Sequence, residues 1–299
     1  MASLILGVCF IGSAWLTRNS FMVYSTVDIE LNDEKEISQF NKCKENCRPF
    51  GSESLPKGIV STTSNFEMRP LWFAKRFLHP DIVSEYDYIF LWDEDLGVEN
   101  FIPRRYLSIV RQEGLEISQP ALDPRKSKVH HRITARMRGS KFHRRYYDSR
   151  GGGKCDNNST GPPCAGWVEM MAPVYSKAAW RCAWYMIQND LIHGWGLDMQ
   201  LGYCAQGDRT IKVGVVDAEY VVHMALPTLV GTSSDRQPSK SNNSSSETTG
   251  ASAPNKLDNR FELLVYMQIR KRSYNEMSIF KNRWNRAVAE DECWVDPFH

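Results

Sequence analysis

The sequence lacks a surplus of either charge, and it lacks an uninterrupted apolar run of the ~20 residues that a membrane-spanning helix needs. Its 299 residues include 37 Lys and Arg against 35 Asp and Glu, a net charge of +2, which gives no general case for nucleic-acid binding. A hydrophobic share of 42% excludes a wholly disordered chain and a polytopic membrane protein. Eight cysteines are too few for a disulfide mini-protein, but more than a reducing compartment favours.

Several catalytic signatures are also missing. The sequence contains no serine nucleophile elbow, no Walker loop, no dinucleotide fingerprint and no HExxH motif. Residues 25–65 hold few apolar side chains and residues 231–256 almost none, so we expect a stem and a disordered linker there. These limits predict a folded domain over 66–230 and a separate C-terminal helical segment over 257–299.

The N-terminal segment is apolar from 2 to 16 except for Ser3 and Ser13, and apolar residues resume at 21–24. We interpret residues 1–24 as a signal-anchor that places the rest of the chain in the lumen of the secretory pathway, for example the Golgi. A cleaved signal peptide and a buried hydrophobic N-terminus remain alternatives.

Two features support entry into the secretory pathway. The chain has two overlapping pairs of glycosylation sequons, at Asn157, Asn158, Asn242 and Asn243. Two pairs of cysteines lie in polar loop sequence, Cys43 with Cys47 and Cys155 with Cys164. Short disulfide-closed loops would suit an oxidising lumen, while zinc binding and free thiols remain alternatives.

The folded region alternates between strand and helix patterns, which predicts an α/β fold. The predicted strands are Tyr88–Trp92, which is buried, Leu115–Ser118, which ends at Pro120, Val129–Ile133 and Val213–Val222. The predicted helices are Pro103–Val110, stopped at Gly114, Ser176–Asn189, capped by Ser176, and Leu257–Val288.

Asp93-Glu94-Asp95 directly follows the predicted buried strand. Carboxylates at the carboxyl end of a strand lie where open α/β sheets bind ligands. Asp93 and Asp95 can share one Mn²⁺ or Mg²⁺, which prefers oxygen ligands and keeps positions for a diphosphate, and we expect Glu94 to contact that substrate. A solvated acidic turn is the alternative.

His193-Gly194-Trp195-Gly196-Leu197-Asp198 is a second candidate motif. Gly194 and Gly196 permit close approach of a ligand, the Trp195 indole can stack on a sugar, and Asp198 can act as general base for an incoming hydroxyl. The alternative is a helix C-cap at Gly194 followed by a core tryptophan.

His223, at the end of the last predicted strand, is an acceptable third ligand for Mn²⁺, although a structural histidine is the commoner case. The stretch 125–150 holds ten Lys or Arg and a single acid. It fits a patch for phosphate or acidic polysaccharide better than a nucleic-acid surface, and a solvated loop is the alternative.

Three motifs carry a resemblance to a known family. Residues 86–95 (YDYIFLWDED), 166–173 (GWVEMMAP) and 195–204 (WGLDMQLGYC) resemble a plant family with a domain of unknown function. That family is labelled "lysine-ketoglutarate reductase trans-splicing related", and the resemblance extends from about Cys43 to Gly231. The family is similar to GT-A glycosyltransferases, which are membrane-anchored, metal-dependent enzymes acting on nucleotide sugars and glycan acceptors.

The resemblance implies roles for particular residues. Asp93 and Asp95 fall on the metal-binding Asp-x-Asp, and His223 on a late metal ligand. Gly194 to Asp198 resembles the acceptor-side Gly-Trp-Gly motif of galactosyltransferases, with Asp198 at its acidic position.

One departure from the family concerns the nucleotide-binding half. In the family, a block with the first strands and helices separates the equivalents of Glu67–Trp72 and Phe73–Pro80, whereas here the two pieces abut. The comparison therefore implies a partial GT-A-like, Rossmann-like sheet, and a variant chain without its donor half that should lack transferase activity.

Overall fold

The computed structural model describes residues 48–60, 72–148, 155–225 and 256–298, and these ranges form a mixed α/β fold. Their six strands make a sheet in the order β1-β5-β3-β6-β2, with β4 also paired to β6. Within these ranges β3 and β6 pair in parallel, and the other pairs are antiparallel. The strands are β1 (Tyr88–Phe90), β2 (Leu96–Gly97), β3 (Ile117–Leu122), β4 (Phe142–His143), β5 (Val174–Ser176) and β6 (Val213–His223).

Five α-helices belong to the described ranges: α1 (Trp72–Phe77), α2 (Pro103–Gln112), α3 (Lys177–Ile187), α4 (Arg209–Lys212) and α5 (Lys256–Glu290). Single 3-10 helices cover Lys57–Ile59, Arg132–Thr134 and Asp198–Cys204. Pro103 starts α2, where its missing N–H costs nothing, and Gly114 (φ +62°) follows the end of that helix. Ser176 caps α3, since its Oγ accepts a hydrogen bond from the Ala179 N–H.

Both faces of the sheet are covered by other elements. Neighbouring residues of a strand point to opposite faces, so each strand contributes side chains to two cores. Ile89 of β1 and Tyr175 of β5 face a core that also contains side chains of α3 and α5. Phe90 and Val174, the next residues on the same strands, face a second core built around α2. The result is a three-layer arrangement with the sheet in the middle.

A bulge in β6 places two carboxylates inside the protein. The pairing of β3 with β6 shifts after Pro120, which has no N–H to donate, so that residues 217–219 of β6 have no partner on β3. Asp217 and Glu219 in this bulge are buried. The Ile102 N–H at the start of α2 donates to Glu219 Oε2 (2.7 Å), and Arg105 forms an ion pair with Glu219 Oε1 (2.7 Å).

Asp217 pairs with a buried histidine of β4. His143 Nδ1 lies 2.8 Å from Asp217 Oδ2, and His143 Nε2 lies 2.7 Å from the Ile133 carbonyl oxygen. The Met137 N–H donates to the other carboxylate oxygen of Asp217 (2.6 Å). Both ring nitrogens of His143 and both carboxylate oxygens of Asp217 therefore have polar partners, although the pair is buried.

Most of the predicted elements are confirmed, and two predictions were wrong in part. The strand predicted to end at Pro120 continues to Leu122, because the β6 bulge accommodates the proline inside the sheet. Residues 129–133 form no strand but a loop leading into the 3-10 helix at Arg132–Thr134. These residues contain the β-branched Val129 and Ile133, yet no neighbouring strand pairs with residues 129–133 in the part of the chain that the structure describes.

The described residues include one disulfide that closes a short loop and one that links two helical elements. The predicted Cys155–Cys164 bond is confirmed. A second bond, Cys182–Cys204, links α3 to the 3-10 helix at Asp198–Cys204 and was not predicted, because its cysteines lie in apolar sequence. Cys293 is disulfide-bonded as well.

Several predictions lie outside the described residues: the signal-anchor, Cys43 and Cys47, the sequons at Asn242 and Asn243, and nearly all of the 231–256 linker. Among the residues that are described, no helix has the length and apolar character that crossing a membrane requires.

The buried His143–Asp217 pair predicts a large effect on stability. Changing His143 to Ala leaves the Asp217 carboxylate buried without its side-chain partner, and we expect a loss of about 3–5 kcal/mol in the free energy of unfolding, measured by urea titration. Arg138→Ala, an exposed change in the same basic stretch, is the control and should stay within ~0.5 kcal/mol of the original chain. Equal small losses in both variants would contradict the assignment.

Candidate functional site

Asp93, Glu94 and Asp95 leave the end of β1 beside the loop that precedes β5. The Leu91 N–H donates to the Pro173 carbonyl (3.1 Å) and the Asp93 N–H to the Met171 carbonyl (2.9 Å), so pairing continues past the strand. The side chains of Asp93 and Glu94 are exposed, whereas Asp95 is buried. The predicted placement of these acids after a buried strand is therefore confirmed.

Asp93 occupies an unfavourable electrostatic environment. Desolvation by surrounding protein atoms, followed by the charges of Asp95, Glu94 and Glu169, raises the pKa of Asp93 to about 7. The side chain nevertheless keeps contact with solvent. A carboxylate that is crowded by protein and still open to water suits the binding of a small cation.

Glu169 is a member of this site that the sequence arguments did not assign. The Glu169 N–H donates to the side-chain oxygen of Gln119 (2.7 Å), a residue in the middle of β3. Burial and then the charge of Asp198 raise the pKa of Glu169 to about 7, and its Oε2 is buried without a hydrogen-bond partner. The one signal for it was its position in the 166–173 motif, which carried the family resemblance but no chemistry.

Asp198 begins a 3-10 helix and is buried. Burial raises the pKa of Asp198 to about 6, although hydrogen bonds from nearby backbone N–H groups, including that of Met199 (2.9 Å), oppose the shift. Since the charge of Glu169 raises the pKa of Asp93, and the charge of Asp198 raises the pKa of Glu169, these carboxylates form one group. We call Asp93, Glu94, Asp95, Glu169 and Asp198 the acidic cluster.

His223 lies next to this cluster at the end of β6. Its Nε2 is 3.2 Å from Asp95 Oδ2, and its backbone N–H donates to Ser127 Oγ (3.0 Å). His223 Nδ1 is buried and makes no hydrogen bond. The structure thus brings His223 to Asp95, where it acts as a partner of the carboxylate, and its role as a metal ligand stays a prediction.

The loop with Trp195 is held on α5 by one carboxylate. Glu276 Oε2 accepts hydrogen bonds from the Ile192 N–H (2.8 Å) and the His193 N–H (2.7 Å), and lies 3.0 Å from His193 Nδ1. Burial alone raises the pKa of Glu276, but these hydrogen bonds outweigh it and leave the pKa below its usual range. Trp195 is 39% exposed, which excludes the alternative of a core tryptophan.

Gly196 contacts the acidic cluster through a backbone hydrogen bond to Asp198. Gly196 has φ +87°, and a Cβ there would lie 2.8 Å from Met277 Cγ of α5, so this glycine permits close contact with the helix. A Cβ on Gly194 would face Met170 at 3.4 Å. Asn157 and Asn158 are exposed in the loop closed by Cys155–Cys164.

Within the described ranges, no group of three or more His, Cys, Asp and Glu side chains is arranged to hold a metal ion. Binding of a divalent cation by Asp93 and Asp95 therefore stays a prediction, which needs only one or two carboxylates from the protein if the cation also holds a diphosphate. The buried, unpartnered oxygen of Glu169 is a further candidate ligand atom.

The raised pKa of Asp93 predicts a pH effect on stability. The folded state keeps the Asp93 proton up to about pH 7, whereas the unfolded state releases it near pH 4. The stabilising contribution of this group is therefore complete below pH 4 and is lost as the pH rises towards 7.

Changing Asp93 to Asn should remove the loss of stability that accompanies ionisation of Asp93. In urea titrations with EDTA, we expect the Asn variant to gain stability relative to the original chain between pH 4.5 and pH 7.5. Asp87→Asn, an exposed change just before β1, should follow the original chain across this interval. Parallel pH profiles for the original chain and the Asp93 variant would show that Asp93 is not protonated near neutrality.

Comparison with known proteins adds one match. The family model described as "Protein of unknown function (DUF707)" matches residues 71–290, from the residue before α1 to the last residue of α5. No curated protein and no solved structure matches the chain. The family match spans well over half of the chain and includes the acidic cluster, the Trp195 loop and α5. The chain therefore belongs to DUF707, a family of proteins of unknown function.

Proposed function

We propose that the chain is a glycosyltransferase-like protein of the GT-A type, in which Asp93 and Asp95 hold Mn²⁺ or Mg²⁺ together with the diphosphate of a nucleotide sugar. The observation that carries the proposal is the acidic cluster itself. Burial first, and then the charges of neighbouring carboxylates, raises the pKa of Asp93 and the pKa of Glu169 to about 7. Such crowding is unfavourable unless a positively charged ligand relieves it.

A bound divalent cation would supply positive charge for the diphosphate, which is the leaving group of a sugar transfer. The chain's own residues would do the rest. Asp93 is open to solvent and to a ligand, whereas Asp95 is buried and its carboxylate contacts the His223 ring. Glu94, exposed between them, would contact the substrate.

Asp198, a member of the acidic cluster, and the nearby Trp195 support an acceptor site. The pKa of Asp198, about 6, is close to the operating pH and suits a general base that accepts the proton of a sugar hydroxyl. The half-exposed indole of Trp195, three residues earlier, offers a face on which a sugar can stack. A glycan is the acceptor that fits both groups.

The proposed location is the lumen of the Golgi or another secretory membrane compartment, with the N-terminal segment as a single-pass anchor. The disulfides Cys155–Cys164 and Cys182–Cys204 support it, because such bonds persist in oxidising compartments. The exposed sequons at Asn157 and Asn158 agree with a luminal domain.

A second candidate function is a non-catalytic carbohydrate-binding or scaffold protein. The edge of the sheet favours it: β1 pairs with β5 alone, and no strand precedes Tyr88 among the described residues. A nucleotide base would need strands on that side of β1. We therefore propose that this chain is a variant without its donor half, and that it binds ligands without turning them over.

The metal site is tested by calorimetry with Mn²⁺ alone and with Mn²⁺ plus inorganic pyrophosphate. We expect the original chain to bind Mn²⁺ more tightly when pyrophosphate is present, and the double variant Asp93→Asn, Asp95→Asn to bind neither. The matched control is Glu85→Gln with Asp87→Asn, which removes the same charge from exposed positions before β1. Equal Mn²⁺ affinity in the two double variants would refute the site.

The proposed loss of turnover is tested by incubating the full chain with nucleotide sugars and Mn²⁺. We expect no release of nucleoside diphosphate, because no described strand holds the base and the donor would not be fixed in a reactive geometry. A version with the missing family block restored is the comparison and should release it. Turnover by the original chain would contradict the variant interpretation while leaving the metal site intact.

A further inference from the structure

Two aromatic rings form an exposed platform at the Trp195 loop. The rings of Trp195 and Tyr274 are nearly perpendicular, with centroids 5.1 Å apart, and the residues are 39% and 47% exposed. The Gly196 backbone allows the loop to approach α5 closely, and Glu276 holds the start of the loop. The rings therefore have a fixed position, although they are not part of the core.

Arg270 adds a positive charge to this platform. It lies one helical turn before Tyr274 on α5, and its guanidinium carbon is 5.9 Å from the ring centre of Trp195 and 5.9 Å from that of Tyr274. Its Nη2 is 3.4 Å from the Tyr274 hydroxyl. A guanidinium placed against aromatic faces loses little freedom on binding an anion, since its orientation is already restricted.

The surroundings of Arg270 are also positive. Partial burial lowers the pKa of His130, and the charges of Lys128, His223 and Arg270 lower it further, which places these groups close to one another. Lys128 and His130 come from the basic stretch 125–150, in which several arginines bind the protein itself. Arg136 donates to the Asp217 carbonyl, for example, and Arg144 to that of Ile211.

We propose that Trp195, Tyr274 and Arg270 form a subsite for an acidic sugar, a uronate residue of a glycan, with the sugar ring on the aromatic platform and its carboxylate on the guanidinium. The inference rests on the proposed function and specifies its acceptor. Arg–carboxylate contacts can be bidentate, which gives the carboxylate a defined direction. The acidic cluster and this subsite carry opposite charges, so the diphosphate–metal group and an acidic acceptor would be drawn to different places.

The test measures binding of a tetramer of α-1,4-linked galacturonate to the full chain by calorimetry, in EDTA and without nucleotide. The methyl ester of the same tetramer is the matched neutral ligand. We expect the acid to bind at least tenfold more tightly than the ester at low salt, and to lose that advantage as salt is raised.

Variants locate the subsite. Arg270→Gln should weaken binding of the acid at least tenfold and change binding of the ester less than twofold, whereas Trp195→Ala should weaken binding of both. Arg286→Gln is the control, since Arg286 is an exposed arginine of the same helix about 24 Å away at a rise of 1.5 Å per residue. Arg286→Gln should bind both ligands like the original chain.

Three results would overturn the proposal: equal binding of acid and ester, equal losses in the Arg270 and Arg286 variants, or an Arg270→Gln variant that binds the uronate like the original chain and binds inorganic pyrophosphate, titrated separately, more weakly. The last result would assign the guanidinium to a phosphate. Because no metal or nucleotide is present, the outcome is independent of the Mn²⁺ site. Failure of the acidic-sugar subsite and failure of the proposed function therefore give separate results.

Discussion

The Glu276 carboxylate is the contact on which the arrangement of the candidate site depends. One of its oxygens accepts the N–H groups of Ile192 and His193 and also contacts the His193 ring. These bonds fasten an irregular loop to α5, and that loop carries both Trp195 and Asp198. A loop without regular secondary structure cannot present an indole and a buried carboxylate in fixed positions unless a rigid element supports it, and α5 is that element.

The acidic cluster differs from the rest of the described protein in how its carboxylates are paired. Elsewhere, buried charges have specific partners: Asp217 has His143, and Glu219 has Arg105 and the start of α2. In the acidic cluster, like charges face one another, and an oxygen of Glu169 is left without a hydrogen bond. Departures of this kind reduce stability and are expected where a ligand is bound rather than where a core is packed.

The C-terminal helix belongs to the folded body. Phe280, Trp284 and Ala287 are buried in the same core as α3, and the family match runs to the end of α5. The low-complexity stretch before α5 suggested a separate segment, because it marks a break in the chain. A break along the chain need not be a break in space, and here the helix returns to cover one face of the sheet and to support the Trp195 loop.

The elements with local signals could be predicted from the amino-acid sequence. The apolar run before Asp93, Pro103 at the start of α2, Ser176 as the cap of α3 and the short Cys155–Cys164 loop each depend on neighbouring residues. The long-range contacts become visible in the folded protein alone: Cys182 with Cys204, His143 with Asp217, Glu169 with Asp93 and Asp198, and Glu276 with His193. The strand predictions at Pro120 and at residues 129–133 were wrong in part for the same reason. Whether a segment forms a strand depends on whether another strand lies beside it in the fold. A sequence pattern records which face of an element is apolar, whereas the partner across the fold is set by packing of distant segments.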